Sequence, residues 1–230
     1  MQYAILPFKI LRETQAIGGW FSHKGTQAID LGGKDTGVDN LYAPCDLKVV
    51  AKGSASYNAV YYQSINKVKF ANGIEDYINF RTLHDNDISN IKVGQVFKQF
   101  AIIGQEGKRG ATGNHTHLQV ARGVYRGIYK NVYGWYMLVN EIAPNKVFSL
   151  LKGYNTVLKT SASWNWVDKP NYIAPATNIY KGSSIVDYLK SIGVNSSFSN
   201  RKKLATKNGI RGYIGTAKQN MMLLKKLRGF

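Results

Sequence analysis

Two of the four histidines in this chain, His115 and His117, stand one residue apart in the stretch GATGNHTHLQV, residues 110 to 120. In a strand, alternate residues share a face. His115, His117 and Gln119 would then face one way, and Thr116, Leu118 and Val120 the other. Leu118 and Val120 are the apolar set, which assigns their face to the core. Both imidazoles point away from it. On an open surface such a pair is merely solvated; inside a cleft, two neutral imidazoles serve as metal ligands or as acid/base groups. His23 lies in FSHKGTQAIDLGG, seven residues before Asp30, and His84 closes the run DYINFRTLH. Each alone is more often structural or solvated than functional, and Asp30 could simply cap a turn before Gly32. Zinc sites that do chemistry take three ligands from His, Asp and Glu and keep a fourth position for water. The chain holds the right stock for such a site. Its single cysteine, Cys45, excludes an intrachain disulfide and a cysteine-based metal site; following Pro44 in an apolar stretch, it reads as a buried small hydrophobe.

The elements around these residues read as β. LKVVAKG (47–53), AVYYQSI (59–65), KVKFANG (67–73), DYINFRTL (76–83) and THLQVAR (116–122) are rich in Val, Ile, Tyr and Phe, bounded by Gly, Asn or Asp, and several alternate at period two. No long helical stripe interrupts them, so residues 1–151 are expected to form an antiparallel β-sheet or sandwich. Only MLVNEIAPNKVFSLL (137–151), split by Pro144, is ambiguous. Residues 152–181 are dense in Ser, Thr, Asn and Pro and lose periodicity, which reads as a linker; Trp164 and Trp166 within it are expected to pack. From 182 the pattern turns helical. Ser184 with Asp187, a start at Ser199, and Thr216 with Gln219 open three short helices. Gly193, Gly209 and Gly229 close them, and Met221, Leu224 and Leu227 form the apolar face of the third. The expected fold class is therefore mainly β, with a small three-helix module at 182–230.

Charge divides the same way. Residues 1–150 carry 17 Lys and Arg against 11 Asp and Glu, and residues 151–230 carry 14 against 2, within a net charge of +18. Such a surface favours polyanions: nucleic acid, anionic membrane or a phosphate-rich wall polymer. Nucleic-acid binding would want aromatics interleaved with Lys and Arg on one surface. The 15 tyrosines are instead scattered through strand-like stretches, where packing accounts for them. No apolar run approaches membrane-spanning length. The opening MQYAILPFKILRE lacks a basic region and a cleavage site, so it reads as mature protein rather than a signal peptide.

With these residues in view, the chain from His23 to Val120 resembles the lysostaphin-type zinc metalloendopeptidases that cut peptidoglycan peptides. HKGTQAID (23–30) is similar to the family's His-spacer-Asp pair, YAPCDLKVVAKG (42–53) to the stretch before a strand and a glycine, and INFRTLH (78–84) to the segment ending in a lone histidine. NIKVGQVFKQFAIIGQEGKRGATGNHTHLQV (90–120) keeps the family's glycine cadence at Gly94, Gly104, Gly107 and Gly113 before the paired histidines. The five site positions are filled in family order. Two departures stand out: six residues separate His23 from Asp30 where the family usually has about three, and Phe100 stands where the family often shows glycine.

The resemblance implies that His23, Asp30 and His117 bind one Zn²⁺. His84 and His115 stand beside the metal, His115 as general base and His84 as oxyanion stabiliser, the two being exchangeable. It implies cleavage of peptide bonds in the cross-bridges or stem peptides of bacterial peptidoglycan by zinc-activated water. The tail resembles the small wall-tethering modules of phage lysins, with Arg201, Lys202, Lys203 and Lys207 as candidate contacts to teichoic acid or another anionic wall polymer. A wall hydrolase lacking a signal peptide fits a phage endolysin held in the host cytoplasm until released, or a virion-borne lysin. A non-catalytic wall-binding or virion-structural protein on the same fold is the alternative. Neither nucleic-acid binding nor membrane insertion is expected.

Overall fold

A computed structural model describes residues 1–32, 38–168, 182–191 and 194–228. The chain divides into two compact units, Met1–Asn171 and Tyr172–Phe230. In the first, the strands are β1 (Ile10–Gln15), β2 (Ile29–Gly32), β3 (Asn40–Tyr42), β4 (Leu47–Lys52), β5 (Val60–Ser64) and β6 (Val68–Lys69). There follow β7 (Glu75–Asp76), β8 (Ile78–Leu83), β9 (Val96–Phe97), β10 (Ile102–Gln105), β11 (Thr116–Arg122) and β12 (Ile128–Lys130). The unit closes with β13 (Tyr136–Leu138), β14 (Glu141–Ile142), the one-turn helix α1 (Pro144–Val147), β15 (Leu150–Leu151), β16 (Thr156–Lys159) and β17 (Trp166–Val167).

The main sheet runs β16-β1-β2-β11-β8-β5-β4-β9, with β14 also paired to β11. Every pairing in it is antiparallel except β1 with β16. The fold class is mainly β, as the alternation indicated. Register assigns the faces. Leu118 and Val120 of β11, Phe80 of β8 and Val60 and Tyr62 of β5 share one face and enter the main core with Phe8, Leu31, Leu47 and Phe148. Phe80 stacks on Tyr62 with ring centroids 4.8 Å apart and meets Phe148 edge-on. The opposite face carries His117, Gln119 and Ala121 of β11 beside Leu83, Arg81 and Asn79 of β8, and Tyr61 and Gln63 of β5.

That polar face is also covered. Arg81 is buried and donates through Nε to Gln119 Oε1 (2.6 Å) and through a terminal nitrogen to the Tyr136 carbonyl (2.6 Å). Gln119 donates to the same carbonyl at 3.2 Å. The hairpin β12–β13 is thus fastened to the sheet floor at Tyr136, beside its tip. A buried guanidinium is costly unless its donors are all engaged, so these acceptors fix the hairpin where it lies.

The stretch expected as a linker from residue 152 begins instead inside this unit. Strand β16 adds to the edge of the main sheet beside β1, and β17 pairs with β15. Asn155 is buried and bonds the Phe8 carbonyl at 2.6 Å, while Glu13 accepts from Ser161 Oγ at 2.6 Å. Trp164 packs on the core and donates to Thr160, whereas Trp166 is exposed. Low periodicity misleads here because both strands are short and lie at sheet edges, where polar side chains are tolerated. Residues 169–181 lie outside the described residues.

The second unit contains α2 (Ile185–Ser191), α3 (Phe198–Lys207) and α4 (Ala217–Arg228). Thr216 and Gln219 form the expected reciprocal cap: Gln219 N–H donates to Thr216 Oγ1 (3.2 Å) and Thr216 N–H to Gln219 Oε1 (3.3 Å). Asp187 N–H donates to Ser184 Oγ at 3.2 Å. The middle helix starts one residue before the expected Ser199, because Ser197 is the capping residue and accepts from Asn200 N–H. On α4 the buried pair is Leu223 and Leu224, with Leu227 packed beside them; Met221 is exposed. These leucines join Ile185, Leu189, Ala205, Ile210 and Tyr213 in a core of their own. Gly193 and Gly229, expected to end the first and third helices, lie outside the described residues.

Candidate metal centre

Asp30 and His117 are directly opposite each other in the antiparallel pair β2–β11, so strand register alone places their side chains together on the polar face. His23 comes from the loop between β1 and β2, in a short 3₁₀ turn, Phe21–His23. The six-residue spacer to Asp30 is therefore a loop that returns onto the sheet. His23 Nε2 lies 3.0 Å from Asp30 Oδ1 and 3.1 Å from His117 Nδ1, and His117 Nδ1 lies 3.0 Å from Asp30 Oδ1. All three residues are buried, and among the described residues they are the group able to hold a metal ion.

Hydrogen bonding shows what this triangle lacks. His23 Nδ1 donates to the Ala16 carbonyl at 2.9 Å, which leaves Nε2 as a lone pair. A carboxylate oxygen is also an acceptor. One proton on His117 cannot satisfy both, whereas a cation satisfies all three at once. Zinc bonds of ~2.0–2.1 Å at tetrahedral angles put ligand atoms ~3.3 Å apart, close to the spacing found. Burial works to raise the Asp30 carboxyl, but its contacts with His117 and His23 hold it well below the usual carboxylate range. Burial, only partly offset by Asp30, pushes His117 down to about 4. Asp30 is thus ionised and His117 neutral at neutral pH, as a metal requires.

His84 and His115 stand on one side of the triangle. His115 Nε2 is 3.6 Å from Asp30 Oδ2, and the His84 and His115 rings are 4.7 Å apart. His115 Nδ1 donates to the Gly113 carbonyl (3.0 Å) and His84 Nδ1 to the Arg109 carbonyl (2.7 Å). Both neutral rings consequently present Nε2 as a lone pair. Burial lowers the basicity of His84 further. A single bridge, Gly107 with His115, aligns the approach to β11. A Cβ at Gly107 would come within 2.4 Å of the His84 carbonyl oxygen and 2.6 Å of Asn86 N. Glycine here is what lets the two histidine segments meet. Phe100, which departs from the expected glycine, has φ +67, a conformation glycine adopts without strain.

All five expected site residues therefore meet. The tail residues do not form an equivalent cluster. Arg201 is half-buried and donates to Tyr213 Oη (3.2 Å), Asn220 Oδ1 (3.0 Å) and the Ser196 carbonyl (3.1 Å), so it builds the helical unit. Lys202, Lys203 and Lys207 are exposed. Sequence reasoning missed the surface beside His23, where Trp20, Phe21, Tyr133 and Trp135 are exposed. The run YGWY (133–136) was its available signal.

Comparison with known proteins gives partial likenesses. A family model described as a domain of unknown function (DUF3597) matches residues 175–228. Morphogenesis protein 1 of Bacillus phage B103 is 34% identical over 174 residues, 73% of this chain and 46% of that protein. The endolysin of Listeria phage A511 is 47% identical over 60 residues, 26% of this chain and 17% of its own. An L-alanyl-D-glutamate peptidase of Listeria phage A118 is 42% identical over 78 residues, 34% of this chain and 26% of its own. The chain thus spans less than half the length of each of these relatives. Among solved structures, the catalytic domain of lysostaphin from Staphylococcus simulans is similar at 20% identity and TM-score 0.34, over 55% of this chain and 80% of that one. A zinc-containing peptidase from Vibrio cholerae is similar at 20% identity and TM-score 0.39, over 53% and 37%. Among the described residues no helix is long and apolar enough to cross a membrane.

Proposed function

We propose that this chain is a zinc-dependent peptidoglycan endopeptidase of the lysostaphin type, acting in phage-driven lysis or entry. The observation that carries the reading is the triangle of His23, Asp30 and His117 with two further imidazoles beside it. The phage relatives named endolysin and L-alanyl-D-glutamate peptidase support the substrate class. The one named Morphogenesis protein 1 favours a virion-borne enzyme as the variant reading.

A zinc ion held by His23, Asp30 and His117 would supply Lewis acidity, lowering the pKa of water towards neutrality and polarising the scissile carbonyl. His115, held by Gly113 with its Nε2 lone pair towards the site, takes a proton from the attacking water and returns it to the leaving amine as the C–N bond breaks. His84 donates to the oxyanion only when protonated, since its neutral form presents a lone pair at Nε2. The Ala16 carbonyl orients His23 through Nδ1, the role of a supporting hydrogen bond at a metal ligand. The basic C-terminal unit tethers the enzyme to an anionic wall polymer, with Lys202, Lys203 and Lys207 as its exposed contacts. Before release, the enzyme waits in the host cytoplasm.

The test is release of free amino groups from purified Gram-positive peptidoglycan: untreated, with chelator, and after zinc is restored. Loss with chelator and recovery with zinc is expected, and mass analysis of the fragments names the bond. No release from several wall chemotypes by zinc-loaded protein overturns the catalytic reading.

A further inference from the structure

The loop that carries His23 also carries an unusual surface. Phe21 has φ +59, a conformation that is an outlier for a bulky residue. It gains no burial in exchange, being 82% exposed beside Trp20 at 87%. Strain held without a packing return points to use rather than stability. Phe21 faces Trp135 with ring centroids 6.2 Å apart. Trp135 and Tyr133 sit at the tip of the β12–β13 hairpin, and Lys24 Nζ lies 4.5 Å from the Tyr133 ring centroid.

The tip is locked to the loop. Asn131 Nδ2 donates to the Lys24 and Gly25 carbonyls (3.1 and 3.3 Å), and its Oδ1 accepts from the Tyr133 and Trp135 N–H groups (both 3.0 Å). Gly25, at φ +73, packs so closely that a Cβ would lie 2.8 Å from the Tyr133 ring. Arg81 and Gln119 fix the Tyr136 carbonyl, next to Trp135, so the aromatic tip is held both to the sheet and to the loop. Contiguous exposed apolar area of this kind marks a binding surface.

We propose that Trp20, Phe21, Tyr133 and Trp135 form a platform, continuous with the His23–Asp30–His117 site, for the glycan strand of the substrate: N-acetylated hexosamine rings. This deepens the reading of the site as a peptidoglycan hydrolase and rests on it. A pyranose ring has apolar C–H faces and a polar edge of hydroxyl and acetamide groups. Exposed rings bordered by the Lys24 ammonium match both parts. Trp20 and Phe21 stand immediately before His23 in the same loop, so the platform adjoins the metal centre. In peptidoglycan the peptide is attached to such a strand. A second copy of this chain is disfavoured, because a net charge of +18 repels itself.

The experiment is equilibrium dialysis of the full chain against labelled chitopentaose, a soluble chain of five N-acetylglucosamine units. Wild type binds, and the probe contains no peptide bond, so the result is independent of hydrolysis. Trp20→Ala/Trp135→Ala raises Kd at least ~10-fold, as for aromatic anchors of a binding surface. Phe21→Gly weakens binding while raising Tm, because it relieves the left-handed backbone; a merely structural role would not separate the two. The proposal is overturned by absence of wild-type binding, by unchanged binding in the tryptophan double variant, or by association with phosphatidylglycerol vesicles in place of the saccharide. Failure of the hydrolase reading shows separately, as wall that is bound through the platform yet never cleaved.

Discussion

His115 and His117 are neighbours in sequence with opposite tautomeric arrangements. His117 turns Nδ1 into the triangle, while His115 spends Nδ1 on a backbone carbonyl and keeps Nε2 free. Their substitutions should therefore fail differently. His117→Ala loses both zinc and activity, the latter by at least ~10³-fold. His115→Ala keeps zinc, measured by metal analysis after dialysis, and loses ~10²–10⁴ in kcat. A second prediction belongs to Asp85, next to His84. Its carboxyl is buried, accepts from Thr82 Oγ1 at 3.1 Å, and has no hydrogen-bond partner at Oδ1; burial pushes it up to about 8. Between the ordinary value near 4 and 8 the folded state holds a proton that the unfolded state has released. Stability therefore falls as pH rises through that window, by several kcal/mol at ~1.4 kcal/mol per unit, and levels off above it. Urea unfolding of Asp85→Asn from pH 5 to 9 should lack this component of the slope.

At the scale of elements, the site is assembled by strand register and by loops of close backbone contact. The facing of β11 was legible, from the HxH alternation and the apolar Leu118 and Val120, whereas its register with β2 was not. The meeting of His84 with His115 followed only from the family resemblance and not from pattern, because it depends on Gly107 abutting the His84–Asn86 backbone, a contact between residues more than 20 positions apart. Gly107→Ala should force these segments apart. Wall hydrolysis should drop ~10²-fold, the cost of misplacing a catalytic group by about an ångström. Zinc affinity should change little, since the triangle is untouched. The hairpin platform was also illegible, since an aromatic-rich hairpin reads the same from sequence whether its rings are packed or exposed. Only the Asn131 and Arg81 bonds decide which.

At the scale of the molecule, two units each own a core, and the basic charge is concentrated towards the second. The sequence showed the change from β to helix, but it hid where the first unit ends. Edge strands β16 and β17 carry little apolar pattern, and their contribution is backbone pairing with β1 and β15. A chain cut after residue 151 should aggregate on expression, while one cut after 168 should stay soluble, as size-exclusion chromatography of the two would read out. The parallel pairing of β1 with β16 also sets a timetable. Strand β1 is covered by one made almost 150 residues later. Until then the nascent chain presents an open strand edge, the surface on which unfinished β proteins cross-pair. Synthesis, rather than the finished chain, is when this fold is most exposed to its neighbours.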